Sequence, residues 1–114
     1  MKISKVIELT EATLVCGSDK TEMVVEQGFS SDLMSDVLTL DTEELLLITG
    51  LANIQTIRTA EMADIHYILF VRNKKVTPEM AELAGENHMV LLETPYSLFK
   101  TSGILYTHGL KPVY

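Results

Sequence analysis

Three apolar runs constrain this chain more than anything else in it. Leu45-Leu46-Leu47-Ile48-Thr49 is followed by Tyr67–Val71 and then by Met89–Leu92, and none of the three alternates with polar residues. A run of that length without alternation predicts a strand covered on both faces, as in a parallel sheet. Each run is followed by a helix signal, which is what a parallel crossover needs. Asn53 is a good N-cap, and Ile54, Ile57 and Ala60 give an inward stripe over a helix ending near Ala63. Thr77-Pro78 opens the next helix, with Met80, Leu83 and Ala84 inward and Gly85 to Asn87 as its end. Thr94-Pro95 repeats the start signal. In that last helix Phe99, Gly103, Tyr106 and Leu110 lie at i, i+4, i+7 and i+11, on one stripe, with exposure of Tyr106 as the alternative. A mid-helix glycine costs about 1 kcal/mol against alanine, so Gly103 predicts close packing on a neighbour. Gly109 and Pro112 mark the stop.

Strand–helix units with right-handed crossovers give an α/β fold, a small mostly parallel sheet flanked by helices. The residues before Leu45 add smaller pieces. Ile3, Val6 and Ile7 predict a short amphipathic helix. Thr13–Cys16 and Met23–Val25 predict two short strands around the Gly17–Lys20 turn. Ser30-Ser31-Asp32 offers caps for a helix carrying Leu33, Met34 and Val37.

At 114 residues the chain is expected to be one domain, residues 1–114. Its net charge of −7 argues against nucleic acid and against an anionic membrane surface as partners. No apolar run approaches the ~20 residues of a membrane span. Lys5, Glu8 and Glu11 interrupt any signal-peptide core. Cys16 is the lone cysteine, so no internal disulfide forms, and it reads as a structural thiol. A soluble cytoplasmic protein is the expectation.

In an open parallel sheet the ligand crevice lies beyond the C-terminal strand ends. Here that rim is built from Thr49, Gly50 and Asn53, from Arg72 and Asn73, and from Thr94 and Tyr96, the candidate ligand-binding residues. Helix N-termini pointing at it suit a phosphate or carboxylate, Arg72 and Lys74 add charge, and Tyr96 offers a stacking face. The competing reading is that Asn53 and Thr94 only cap helices and Arg72 is solvated. Gly50 alone is not a nucleotide-binding loop, so no cofactor is called. His66, His88 and His108 lack metal-ligand spacing. Asp32 and Asp36, at i and i+4, read as charges complementing a helix start. No nucleophile, base or metal set is visible, so the chain is read as a non-enzyme. The tail Leu110–Tyr114 is either a homodimer contact or folded back on its own sheet.

Gly28-Phe29-Ser30-Ser31-Asp32-Leu33-Met34-Ser35, Leu47-Ile48-Thr49-Gly50, Leu91-Leu92-Glu93-Thr94-Pro95-Tyr96-Ser97-Leu98-Phe99 and Gly103-Ile104-Leu105-Tyr106, in that order, resemble the DRTGG domain. That family is similar to the N-terminal domain of HPr kinase/phosphorylase. Where the family carries Asp-Arg this chain has Leu51-Ala52-Asn53, and where it carries Thr-Gly-Gly it has Val71-Arg72-Asn73. The resemblance implies a non-catalytic regulatory module. Such a module binds a small anionic ligand such as a nucleotide, or dimerises, and acts on a partner enzyme. The alternative is an interaction or scaffold subunit with no small-molecule ligand.

Overall fold

The computed structural model describes residues 1–114. Its centre is β3 (Leu45–Thr49), every residue of which is buried. It pairs in parallel with β4 (Tyr67–Phe70), which pairs in parallel with β5 (Val90–Glu93). The three apolar runs are therefore adjacent parallel strands, as expected. On the far side of β3 lies β2 (Gln27–Ser30), also parallel, followed by the two-residue β6 (Lys111–Pro112). The antiparallel β1 (Thr13–Cys16) closes the other edge against β5. The sheet order is β1-β5-β4-β3-β2-β6.

Alternate residues of each central strand feed opposite layers, because successive side chains point to opposite faces. Leu45, Leu47, Ile68, Phe70 and Leu91 pack with Val37, Ile57, Ala60, Met80 and Ala84. Those partners come from α2 (Met34–Val37), α3 (Ile54–Met62) and α4 (Pro78–Glu86) or the turns beside them. Leu46, Ile48, Leu69, Val90 and Leu92 pack with Ile3, Val6, Leu105 and Leu110. These come from α1 (Ile3–Thr10), α5 (Leu98–Thr107) and the segment just after it. Full burial of the strands on both faces is why the runs lack alternation. No helix is long and apolar enough to cross a membrane.

Three expectations are corrected. Met23–Val25 is not a strand: it makes one isolated bridge, Lys2 to Val24, and the chain enters the sheet two residues beyond Val25, at Gln27. Glycine in Gln27-Gly28-Phe29-Ser30 hid that strand from a propensity reading, yet the small residue is needed. A Cβ on Gly28 would lie 2.8 Å from Leu110 Cδ2. The last helix starts at Leu98, capped by the Ser97 hydroxyl, which accepts from the Lys100 N–H at 3.1 Å. Thr94-Pro95 belongs to the preceding turn. Finally, the inward stripe of α5 is Leu98, Thr101 and Leu105. Phe99 is 90% exposed and Tyr106 67%, while a Cβ on Gly103 would meet nothing within 4 Å. Only Leu110 of the expected stripe is buried, beyond the helix end. The tail folds back: Lys111–Pro112 joins β2, and the Tyr114 ring stands edge-on to Phe29.

Candidate functional site at the strand ends

Register brings the strand exits together. Thr49 lies opposite Phe70, Phe70 opposite Glu93, and Ser30 opposite Ile48, so four parallel strands end on one rim. Backbone bonds extend the ladder past the strands. The Arg72 N–H donates to the Tyr96 carbonyl at 2.8 Å, and the Asn73 N–H to the Thr94 carbonyl at 3.1 Å. Both residues reach these acceptors in the left-handed region, each with φ 59. Asparagine tolerates that conformation and arginine seldom adopts it; Glu11, Glu44, Asp64 and His88 share it elsewhere in the chain.

The strained turn aims the Arg72 side chain back over β3. Its guanidinium lies across Gly50, where an added Cβ would come within 2.7 Å of Cζ and 2.8 Å of Nε. The guanidinium occupies the space that a side chain at Gly50 would fill. The guanidinium meets Asp32, Nη2 to Oδ2, at 3.4 Å. The other oxygen, Oδ1, accepts from the Gly50 N–H at 2.8 Å and from the Thr49 hydroxyl at 2.9 Å. Partial burial pushes the Asp32 carboxyl upward, but the Gly50 and Thr49 hydrogen bonds and the Arg72 charge outweigh it and hold it below its ordinary value.

Of the seven residues expected here, Thr49, Gly50 and Arg72 form one constellation. Asn53 and Thr94 have structural duties. The Asn53 Oδ1 caps α3, accepting from the Thr56 N–H at 2.9 Å. The buried Thr94 hydroxyl donates to the Thr10 carbonyl at 2.6 Å and accepts from the Tyr96 N–H at 3.2 Å. Asn73 is exposed beside Arg72. Tyr96 is half-buried, with the Lys100 ammonium 3.8 Å from its ring centroid, so one face of the ring already carries a cation. A hydrogen bond to Glu11 raises its phenol pKa. Glu93 braces the rim from below: Oε2 accepts from the Val76 N–H at 2.6 Å, and Oε1 lies 3.7 Å from Lys75 Nζ.

Asp32 is the residue the sequence reading missed. It does not open a helix: Leu33 precedes the first turn of α2, and the Ser31 hydroxyl accepts the Leu33 N–H at 2.9 Å. The available signal was position. An acidic residue two places beyond a parallel strand falls on the same rim as the other exits, but only if Gln27–Ser30 is read as that strand.

Elsewhere, a groove of about 290 Å³ runs between α5 and the β2–β6 edge, floored by Gly28, Ile48, Leu105 and Leu110, with Phe99 and Tyr106 at its mouth. Cys16 is half-buried, its thiol directed at the Ala81 carbonyl, and burial raises its pKa. No three His, Cys, Asp or Glu side chains are grouped to hold a metal.

No family model matches the chain, and no curated protein matches it. A solved structure does. The chain is similar to the CBS and DRTGG domains of the regulatory region of Clostridium perfringens pyrophosphatase, a crystal structure complexed with the activator diadenosine tetraphosphate. The TM-score is 0.73 at 12% identity, over 91% of this chain and 45% of that one. The likeness establishes a shared, DRTGG-related fold. This chain spans less than half of the length of the protein it matches.

Proposed function

We propose that residues 1–114 are a DRTGG-like regulatory module, not an enzyme, working in the cytoplasm. The module binds a small phosphate-bearing ligand such as a nucleotide at the strand-end rim and thereby regulates a partner enzyme. The observation that carries this reading is the Arg72 guanidinium, held by a left-handed backbone across Gly50 and beside two further donors, the Gly50 N–H and the Thr49 hydroxyl. Arginine with a backbone N–H and a hydroxyl is a set of donors that recognises phosphoryl oxygens. The likeness to a regulatory region crystallised with a dinucleotide activator supports the same class of role.

A thermal-shift series with inorganic phosphate, ADP and ATP tests it. Selective binding to the folded state at 100 times Kd adds about 2.7 kcal/mol of stability and raises the Tm. Arg72→Ala removes the guanidinium and should abolish the shift. No shift with any of the three would overturn the reading.

A second reading has its own observation. Phe99 and Tyr106 are large, exposed and on one face of α5, beside the apolar groove. Exposed aromatic surface of this kind marks interaction sites. Residues 94–114 contain no Asp or Glu, so in a chain of net charge −7 this segment adds no side-chain carboxylate to a contact between two copies. Dimerisation through α5 follows, with or without a ligand. Light scattering should report a dimer for the native chain and a monomer for the Phe99→Ser, Tyr106→Ser variant; a native monomer at high concentration would remove it.

A further inference from the structure

The donors at the rim are already in use. Asp32 presents one oxygen to the Gly50 N–H and the Thr49 hydroxyl, and its second oxygen to Arg72. An anionic ligand needs those same three donors. It cannot share them with a carboxylate, because a second negative charge within hydrogen-bonding range of the first is repelled by it. We propose that Asp32 is an internal stand-in for the ligand, and that a phosphoryl group enters by taking its place on Gly50, Thr49 and Arg72. This rests on the reading of the rim as an anion site, and it adds the specificity-determining residue and the ligand chemistry.

The geometry makes the exchange feasible. The Asp32 side chain is 41% exposed, so rotation about its own bonds carries the carboxylate into water without moving any strand or helix. Its pair with Arg72, itself 49% exposed, is of the weak surface kind. The two hydrogen bonds from the neutral Gly50 and Thr49 donors to its charged oxygen hold it better, and a phosphoryl oxygen replaces them in kind. A neutral ligand offers no compensation for the lost carboxylate, and a single carboxylate offers no more than Asp32 already provides. A phosphoryl group brings more charge and a third oxygen to the same donors. The site therefore selects phosphate esters over carboxylates.

The experiment uses inorganic phosphate as the probe on the full chain. Affinity is measured by calorimetry, and location by the Gly50 and Thr49 amide resonances in ¹⁵N spectra. The series is the native chain, Asp32→Asn and Asp32→Ala. Asparagine keeps the shape and loses the charge; alanine vacates the donors. Phosphate affinity should rise in the order native, Asn, Ala, with Asp32→Ala binding roughly tenfold or more tightly than the native chain. The Gly50 amide should move on titration, and adding Arg72→Ala should cancel the gain. If Asp32→Ala folds poorly, the Asp32→Asn Tm supplies the measurement, since it should rise more with phosphate than the native Tm does. Native binding that neither substitution strengthens overturns the displacement and leaves the anion site standing. Silence of the Gly50 amide in all three proteins overturns both.

Discussion

Arg72 sets a conflict between stability and use within one residue. Its φ of 59 places an L-side chain in the left-handed region, which costs about 1 kcal/mol or more outside glycine. Its ion pair with Asp32 is half in water and returns little of that. Arg72→Gly relieves the backbone, offset by the extra freedom glycine has in the unfolded chain. Arg72→Ala keeps the strain and loses the pair. Urea denaturation should therefore find the glycine variant within about 1 kcal/mol of the native chain and the alanine variant below it by roughly 1 kcal/mol. Both should lose phosphate binding. The opposite order would mean that this turn is not strained in solution. None of this was legible beforehand: Arg72 could be named as a basic residue at a strand exit, but a positive φ on arginine has no sequence signature. Gly50 was legible as a strand-end glycine on the candidate rim, but not as the residue the guanidinium covers. That covering is a tertiary contact, made by the guanidinium from the neighbouring strand's exit.

Among the elements, legibility followed burial. The uniformly buried strands β3 and β4 declared themselves, as did β5, buried in all but its final Glu93, and α4 followed from Thr77-Pro78, because caps and burial act locally. β2 did not, since Gln27-Gly28-Phe29-Ser30 is a strand by virtue of what flanks it. α5 was read with Gly103 packed closely on a neighbour, which it is not. Two stripes compete on it, and periodicity favoured the one with the aromatics. The sheet instead takes Leu98, Thr101 and Leu105, and leaves Phe99, Gly103 and Tyr106 in water. The correction alters what Gly103 means. With nothing near its Cβ position, it contributes no close packing within the chain. Gly103→Ala should then stabilise the monomer by about 0.5–1 kcal/mol, from helix propensity and a less free unfolded chain. Leu105→Ala, on the buried face, should cost about 2–5 kcal/mol. Measured against protein concentration, Gly103→Ala also probes the second reading. If two copies meet across α5, the added methyl weakens their association while it strengthens each monomer.

At the scale of the whole molecule the charge is unevenly spread. The net charge is −7, yet residues 94–114 hold no acid, and Arg72, Lys74 and Lys75 sit together at the rim. Asp32 and Glu93 stand at the rim with those cations, and most of the other acidic residues lie on the remaining surface. Few are neutralised: the Lys2–Glu22, Lys5–Glu8 and Lys20–Asp19 pairs all leave the carboxylate more than 70% exposed. Exposed pairs of this kind contribute about 0–1 kcal/mol each and do not offset the repulsion among the rest. Compacting such a surface carries a self-repulsion that salt screens, with a Debye length falling from about 30 Å at 0.01 M to about 8 Å at 0.15 M. Raising sodium chloride over that range should therefore raise the Tm, by roughly 4 °C if the relief is near 1 kcal/mol. Chloride bound at the rim would produce a rise of its own, and Arg72→Ala separates the two. If the rise comes from the diffuse field, the variant keeps it; if it comes from an ion on Arg72, the variant loses it. Phosphate at matched ionic strength should then lift the native Tm beyond the chloride value and leave the Arg72→Ala Tm where chloride put it, which distinguishes a site from a field.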